Sequence, residues 1–408
     1  MKRFFCITGK ILGSVVLLFV LLVLVTGISP VYRFRAPQPF SGPDIFNPYR
    51  ALERVSPDSL ATDAARGWKR ANFHTHTRVS GPWPVNECPF DAAYTDSVLR
   101  SLGYDIVTFS NHNEITTHPY DSALQVNVYE QGYSPFKFHK LVFGSPAVKH
   151  WDPILPLITS QKQFELDRLS ADADIIQINH PYRTIGFSRS QFEKLSGYGL
   201  MELDTHVNTE NEYWDWALSA GHYSFGLAND DLHHPERHEL TAIRCNFLQT
   251  PSGRWEDLLA TLRGGCFYAM RVPDYGNGDW AEKREKNRQL PWVEAIGVEG
   301  DMLYLQLSAP ADSIRVNGQD HATLALATDT CAMAYRLRPE DPFARFTAFF
   351  PDGAVIYTNP FARYDAAVQQ TPFGPAQQPV DLPLTLLWNL LLSLLCAACL
   401  WLLIKIWK

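Results

Sequence analysis

The residues best able to do chemistry in this sequence are histidines and aspartates that follow four short apolar stretches. In chain order they are His74 and His76, His112, His180, and Asp231 with His233. The 408-residue chain contains only 13 histidines, so their repeated placement after strand-like stretches is the informative feature. Side chains at the carboxyl ends of parallel strands converge on one face of an α/β barrel. Imidazoles and carboxylates that converge there form a transition-metal site.

The spacing within two of these groups also suits a metal ion. His74 and His76 are two residues apart, as are Asp231 and His233. On a strand, positions i and i+2 face the same way, about 6.6–6.8 Å apart, so both side chains of a pair can reach one ion. The alternative is that each histidine is buried and bonds to the backbone. For a single His-x-His sequence that alternative would be the better interpretation. Recurrence at four strand ends favours the metal.

The elements that must position these ligands alternate along residues 68–290. Strand-like stretches are separated by helix candidates at residues 89–102, 161–169, 188–195, 209–220 and 254–263. Some seven such units indicate parallel strands. We expect an α/β barrel, with an open sheet as the alternative. Residues 32–67 are rich in proline and are predicted to be a linker.

The pattern changes after Pro291, where alternating apolar residues and turn residues such as Asn317-Gly318 predict antiparallel strands. We expect a small β-sandwich over residues 291–365 and a tether over residues 366–382. Apolar residues make up 46% of the chain, enough for a large core. The net charge is −7 and the sequence has no basic tract, so we expect no nucleic-acid partner.

Both ends of the chain are hydrophobic. Residues 11–28 follow Lys2, Arg3 and Lys10, and residues 383–404 precede Lys405 and Lys408. About 20 apolar residues span a bilayer, and positive flanks stay in the cytoplasm. We predict membrane helices within residues 1–31 and 383–408, with the domain between them on the outer, periplasmic side of the inner membrane. A cleaved signal peptide is the alternative for the first helix.

Four stretches of this sequence resemble the four motifs of the PHP family (polymerase and histidinol phosphatase). They are residues 74–77 (His-Thr-His-Thr), 103–113 (Gly-Tyr-Asp-Ile-Val-Thr-Phe-Ser-Asn-His-Asn), 178–181 (Ile-Asn-His-Pro) and 229–233 (Asn-Asp-Asp-Leu-His). The resemblance extends over residues 70 to about 275. It implies a distorted (β/α)7 barrel, up to three metal ions and hydrolysis of phosphate esters. Residues 357–360 (Tyr-Thr-Asn-Pro) resemble a segment of relatives that carry an added β-sandwich.

The resemblance assigns the candidate ligands to individual metal ions. It places His74, His76 and Asp231 on the first ion and His180 on the second. It places His112 and His233 on the third.

Three acidic residues of the family pattern are absent from the positions where the resemblance expects them. Ser80-Gly81 lacks an acid, Asn111 stands where an aspartate is usual, and Gly144-Ser145-Pro146 has no bridging glutamate. Asp231 is then the only secure carboxylate, and Asp230, Glu114 and Glu202 are further candidates to offset the charge of the ions. Because neighbouring cations without a bridging carboxylate repel strongly, we expect one or two divalent ions, zinc or manganese, rather than three.

The function predicted from these residues is metal-dependent hydrolysis of a small-molecule or envelope phosphoester by a membrane-anchored protein. Arg183 would hold a phosphate oxygen, with a surface ion pair as its alternative role. Asp230 or His234 would give a proton to the leaving group. The rival hypothesis is a degenerate barrel that binds a ligand or partner without turnover.

Overall fold

The computed structural model describes residues 2–54, 67–79, 86–204, 209–273, 275, 278–374 and 377–408. Ser80 and Gly81, where the resemblance expects an acid, lie outside the described residues. The strands are β1 (Asp44–Phe46), β2 (Trp68–Asn72), β3 (Ile106–Val107), β4 (Val128–Gln131), β5 (Lys140–Phe143), β6 (Ile175–Ile178), β7 (Leu200–Glu202), β8 (Phe225–Leu227), β9 (Arg244–Gln249), β10 (Phe267–Arg271), β11 (Val293–Glu299), β12 (Met302–Asn317), β13 (Thr323–Arg336), β14 (Phe343–Phe349), β15 (Val355–Thr358) and β16 (Phe361–Tyr364). The helices are α1 (Lys2–Thr26), α2 (Ala92–Ser101), α3 (Thr159–Ser170), α4 (Arg189–Phe192), α5 (Glu212–Ser219), α6 (Trp255–Gly264), α7 (Trp280–Arg288) and α8 (Leu382–Trp407).

The strands form two sheets. The smaller sheet has the order β4-β5-β6-β7-β8. The larger has the order β1-β16-β14-β15-β10-β9-β2-β3, and β12 joins it through β14 and carries β11 and β13. Isolated parallel bridges, Thr75 to Leu232 and His112 to Glu130, connect the two sheets. The mixed α/β class is confirmed. Within the described residues the strands do not close into one sheet, so the predicted (β/α)7 barrel is not confirmed.

Strand direction differs from the prediction at two places. β6, β7 and β8 are parallel, and β2 is parallel to β3, as expected. β5, however, is antiparallel to both β4 and β6, and β9 is antiparallel to β2 and β10. Residues 132–139 join β4 to β5 without a helix, and a connection that short returns the chain antiparallel.

Local sequence explains where the helices begin and end. Asp91 caps α2 by accepting a hydrogen bond from the Tyr94 amide, and Gly103 follows the helix with a φ of 91°. The buried face of α2 includes Leu99, which packs with Leu102 and Val107. Such packing fixes the strand end that leads to His112, so the core positions one of the predicted ligands.

The antiparallel prediction for residues 291–365 is confirmed for β11 to β16. These strands belong to the same sheet as β2, β3, β9 and β10. The link is the pairing of β15 with β10, in which Tyr357 lies opposite Ala269. The terminal strands therefore extend the sheet that carries His74 and His76.

The two terminal helices are long and apolar enough to cross a membrane. They pack against each other in opposite directions. Near the chain termini, Trp407 Nε1 donates to Ser14 Oγ at 2.9 Å. Near the folded domain, Trp388 Nε1 donates to the Gly27 carbonyl at 3.2 Å. Both chain termini therefore lie at the same end of this helix pair.

Candidate metal centre

A single buried carboxylate, Glu130 on β4, lies at the middle of the histidines. Its Oε2 atom is 3.3 Å from the Nε2 atoms of both His74 and His76 and 2.9 Å from His112 Nε2. Its Oε1 atom is 3.1 Å from His139 Nδ1 and 3.2 Å from His180 Nε2. The two oxygens of Glu130 thus face different sets of imidazoles, and this arrangement would allow the carboxylate to be shared by two metal ions.

The first ligand group contains His74, His76, Glu130 and Asp231, whose candidate ligand atoms lie within 4.8 Å of one another. Asp231 Oδ1 is 3.2 Å from His74 Nε2 and 3.3 Å from His76 Nε2. Two imidazoles and two carboxylates are a suitable ligand set for zinc or manganese. Three of these residues were predicted as ligands, and the structure brings them together.

Two further groups overlap the first. One contains His76, Glu87 and His112, and the other contains His112, Glu130 and His139. His233 Nε2 lies 3.6 Å from Glu87 Oε2, and the ring of His233 stacks on that of His76 at a centroid distance of 4.2 Å. The groups share residues, so ions bound to them would be close neighbours.

The hydrogen-bond partners of His74 fix its orientation. Its Nδ1 atom lies 2.9 Å from Glu202 Oε1, and the other carboxylate oxygen of Glu202 accepts the His180 amide at 2.7 Å. A carboxylate on one ring nitrogen holds the other nitrogen ready for a metal. Glu202 was considered as possible support for the metals, and the structure places it as a positioning residue.

The unpaired polar atoms of the site test whether the residues fit a metal. Buried atoms without a hydrogen-bond partner among the described residues include His74 Nε2, His76 Nε2 and Glu87 Oε2. Buried polar atoms in folded proteins are nearly always paired. The Nε2 atoms of His74 and His76 both face Glu130 Oε2 and Asp231 Oδ1. A cation bound among these four atoms would satisfy the two unpaired nitrogens, so the residues fit a divalent metal.

The charges of the site also favour a bound cation. Burial alone would lower the pKa of His74, but Glu130, Glu202 and Asp231 outweigh it and raise that pKa well above its usual value. Burial alone would raise the pKa of Glu130, but His112 and His74 hold it well below its usual value. Glu130 is therefore ionised at neutral pH, and its negative charge favours a cation at the centre of the pocket.

Two candidate ligands have backbone conformations that L-residues rarely adopt. His180 has a φ of 24° and Asp231 a φ of 51°. Each lies a few residues after a parallel strand, β6 or β8, where the chain turns over the site. Positive φ values at non-glycine residues cost free energy and concentrate at functional sites. This strain is a further sign that the positions of these two side chains serve function.

The three predicted catalytic residues, Arg183, Asp230 and His234, differ from one another in how close they lie to the ligand groups. Arg183 Nη1 lies 2.5 Å from Asp231 Oδ2, at the edge of the centre. Both oxygens of Asp230 accept backbone amides, from Ala242, Ile243 and Arg244, at 2.8–3.0 Å. These bonds favour a structural role for Asp230 over the predicted role of proton donor. His234 belongs to none of the ligand groups in the described part of the chain.

Sequence reasoning missed Glu130, Glu87 and His139. It matched the bridging glutamate of the family to residues 144–146, whereas the carboxylate that lies among the histidines is Glu130. The available signal was a glutamate at the end of an alternating, strand-like stretch, residues 126–129 (Val-Asn-Val-Tyr), two residues before Gly132 and close to His139. The premise that Asp231 is the only secure carboxylate is therefore wrong.

Comparison with known proteins gives weak similarities. No family model and no curated protein matches the chain. One matching crystal structure is a two-domain protein from Bacteroides vulgatus that contains a predicted PHP-like metal-dependent phosphoesterase, with 14% identity, a TM-score of 0.34, and coverage of 72% of this chain and 96% of that one. Another is the lesion-specific endonuclease EndoQ from Pyrococcus furiosus, with 14% identity, a TM-score of 0.34, and coverage of 48% and 56%. At that TM-score neither similarity decides the fold or the function.

Proposed function

We propose that this chain is a membrane-anchored, metal-dependent hydrolase of phosphate esters. The observation that carries the proposal is Glu130, whose two oxygens face two different groups of imidazoles. We propose that it bridges at least two divalent ions, zinc or manganese. The ligands that would hold them are His74, His76, His112, His180, Asp231 and His233, as predicted, together with Glu87, Glu130 and His139.

The chain's own residues would prepare the site as follows. The carboxylates of Glu87, Glu130 and Asp231 offset part of the positive charge of the ions. Glu202 holds His74 and the His180 backbone in place through the bonds described above. Arg183, once released from Asp231 by a metal, would be free to bind a phosphate oxygen through its planar fork of donors.

Bound divalent ions supply Lewis-acid activation of water and of the phosphoryl group. In the overall reaction, water attacks phosphorus and the bond between phosphorus and the ester oxygen breaks. The hydroxyl group of water stays on the phosphate, and the alcohol leaves with one proton. His234 is the remaining candidate to donate that proton, because the oxygens of Asp230 are occupied.

The rival hypothesis, binding without turnover, was motivated by missing acids. Glu130 and Glu87 supply carboxylates at the centre, so that motivation is weakened. We propose a small or lipid phosphoester as substrate rather than nucleic acid, because the chain carries a net charge of −7 and a polyanion would be repelled. We further propose that the folded domain faces the periplasm, because positive residues are more numerous toward the end of the helix pair that carries both termini. Five lie there (Lys2, Arg3, Lys10, Lys405 and Lys408), against Arg33 and Arg35 at the other end.

Hydrolysis of p-nitrophenyl phosphate by the purified full-length protein tests the proposed function. The protein would be stripped with a chelator and then reloaded with zinc or manganese. We expect turnover only after reloading, and unchanged turnover in the control variant Glu114→Gln, since Glu114 is outside the ligand groups of the described residues. A folded protein that binds the metals but hydrolyses neither this nor any other phosphate ester would overturn the proposal.

A further inference from the structure

The first membrane helix ends against the beginning of α3. The Gly27 carbonyl accepts a hydrogen bond from Gln161 Nε2 at 2.7 Å, and Thr26 Oγ1 accepts the Ile154 amide at 3.3 Å. Gln161 Oε1 also accepts the amides of Leu157, at 2.5 Å, and Ile158, at 3.1 Å. The helix end and residues 154–161 are therefore one hydrogen-bonded unit.

The beginning of α3 lies on the same side of the sheet as the metal centre. Glu165 Oε1 is 2.8 Å from Lys140 Nζ, and Lys140 lies opposite Ile178 in the β5–β6 register. Lys140 directly follows His139, and Ile178 is two residues before His180. The membrane helices thus join the domain at the strand ends that carry the candidate ligands, and not at the opposite face.

A short path of contacts connects the helix end with the loop that carries His139. Ser134 Oγ donates to the Ile154 carbonyl at 3.0 Å, and Asp152 Oδ2 accepts the amides of Tyr133 and Ser134 at 2.7 and 2.8 Å. Ser134 precedes His139 by five residues, which span at most about 18 Å even when fully extended. The loop that carries the candidate ligand His139 is therefore tied through residues 152–154 to the end of the first helix.

Three apolar side chains on or beside the segments of this path are exposed. Residues 151–158 read Trp-Asp-Pro-Ile-Leu-Pro-Leu-Ile, and Leu157 is 49% exposed. On either side of Arg183, Tyr182 is 51% and Ile185 is 56% exposed. The Ile185 amide donates to the Phe136 carbonyl at 2.8 Å, in the loop before His139. Exposed apolar side chains beside membrane helices are typical of a surface that enters the bilayer interface.

We propose that these exposed side chains, which we name the apolar rim (Leu157, Tyr182 and Ile185), rest on the bilayer, and that the substrate is the phosphate ester of a lipid that stays in the membrane during hydrolysis. This inference rests on the proposed function. The chemistry is unchanged: water attacks phosphorus, the phosphate leaves the membrane surface, and the lipid alcohol keeps its acyl chains in the bilayer. Arg183, between two rim residues, would receive the lipid phosphate.

The contact with the bilayer can be measured without enzyme activity. Leu157→Cys and the matched control Leu326→Cys, each in a background in which Cys6, Cys331 and Cys396 are replaced by serine, would be labelled with bimane in the full-length protein reconstituted in phosphatidylcholine vesicles. Leu326, on β13, is 59% exposed and serves as a solvent reference. We expect blue-shifted emission and quenching by brominated lipid at position 157 only. Equal emission and equal quenching at the two positions would overturn the proposed surface.

The substrate class is tested with matched pairs of esters. Dioleoyl phosphatidic acid in vesicles would be compared with glycerol 3-phosphate, and dioleoyl phosphatidylglycerol with glycerophosphoglycerol. We expect kcat/KM for one lipid to exceed that of its chainless partner by at least about tenfold, and Leu157→Asp to lower that ratio while Leu326→Asp does not. Hydrolysis of p-nitrophenyl phosphate with no preference for either lipid would overturn the lipid proposal alone. No hydrolysis of any ester by the metal-loaded protein would overturn the proposed function as well.

Discussion

Replacing Glu130 by glutamine should empty much of the metal centre without unfolding the protein. The change keeps the shape of the side chain. Asn179 Nδ2 donates a hydrogen bond to Glu130 Oε1 at 2.9 Å, and the amide oxygen of glutamine can accept the same bond. It removes the negative charge that lies between the two imidazole groups. We therefore expect Glu130→Gln to fold, to bind fewer ions than the parent and to lose phosphoesterase turnover.

The size of the effect follows from the charges. A unit charge and a divalent ion about 4 Å apart interact by roughly 8 kcal/mol at an effective dielectric constant of about 20. The amide oxygen and entering water recover part of that energy. If about 3 kcal/mol remains lost, affinity for the ions falls by more than about a hundredfold. Such a loss exceeds the 10–100-fold cost that is roughly typical of changes to residues that only orient ligands.

The assay is metal content of the full-length protein after dialysis against a fixed free zinc or manganese concentration, with circular dichroism to confirm folding. Glu114→Gln is the matched control, since it removes the same charge from a residue outside the ligand groups of the described residues. A folded Glu130→Gln variant with the parent's metal content and turnover would refute the bridging role of Glu130.

Four other outcomes are expected. Asp231→Asn should lose metal and turnover while remaining folded, because it removes a carboxylate 3.2 Å from His74 Nε2; unchanged metal content would contradict its role as ligand. Glu202→Gln should weaken metal binding by about 10–100-fold through the orientation of His74, and an unaffected affinity would show that this bond does not matter. Burial and the neighbouring Lys140 lower the pKa of Lys162 from its ordinary 10.5 to about 8. The unfolded chain therefore binds that proton more tightly, and the free energy of unfolding should rise by up to about 3 kcal/mol between pH 8 and pH 10.5. Lys162→Met should flatten this rise in thermal unfolding measured at both pH values, and an equal rise in the parent and the variant would exclude Lys162 as its source. A reporter that is active only in the cytoplasm, fused after about residue 375, should give no signal, and a strong signal would reverse the proposed orientation.

The histidine pattern was sufficient to predict most of the centre. His74, His76, His112 and Asp231 follow strand-like stretches, and the structure places all four in ligand groups. For His74 and His76 the i, i+2 rule explains why, since alternate residues of an extended backbone share one face. Asp231 reaches the same place from a turn with a φ of 51°, which the rule does not predict. Helix positions followed from capping residues and glycines, as with Asp91 and Gly103 around α2.

What the sequence could not provide was the partner of those histidines across the sheets. Glu130 enters the site through the pairing of β4 with β5 and through the bridge to His112. Both are long-range contacts, and a two-residue strand such as β3 gives almost no periodic signal. Strand direction was also beyond the sequence pattern, because alternation of strands and helices favours parallel pairing. The short connection explains the antiparallel pairing of β4 with β5, but β5–β6 and β9–β10 are antiparallel although α3 and α6 lie in their connections.

The apolar ends of the chain also show what periodicity can and cannot predict. Length and composition identified α1 and α8 as candidate membrane helices. Their pairing, through contacts such as Trp407 with Ser14, and their attachment to α3 through Gln161 depend on side chains far apart in the sequence. Those contacts connect the candidate membrane helices with the candidate metal centre, and they underlie the proposed lipid substrate.

The most direct test of the central claim is anomalous X-ray diffraction from crystals of the full-length protein loaded with zinc. The account predicts at least two anomalous peaks, one beside Glu130 Oε2 near His74, His76 and Asp231, and one beside Glu130 Oε1 near His139 and His180. Loaded crystals without anomalous density within coordination distance of Glu130 would contradict it.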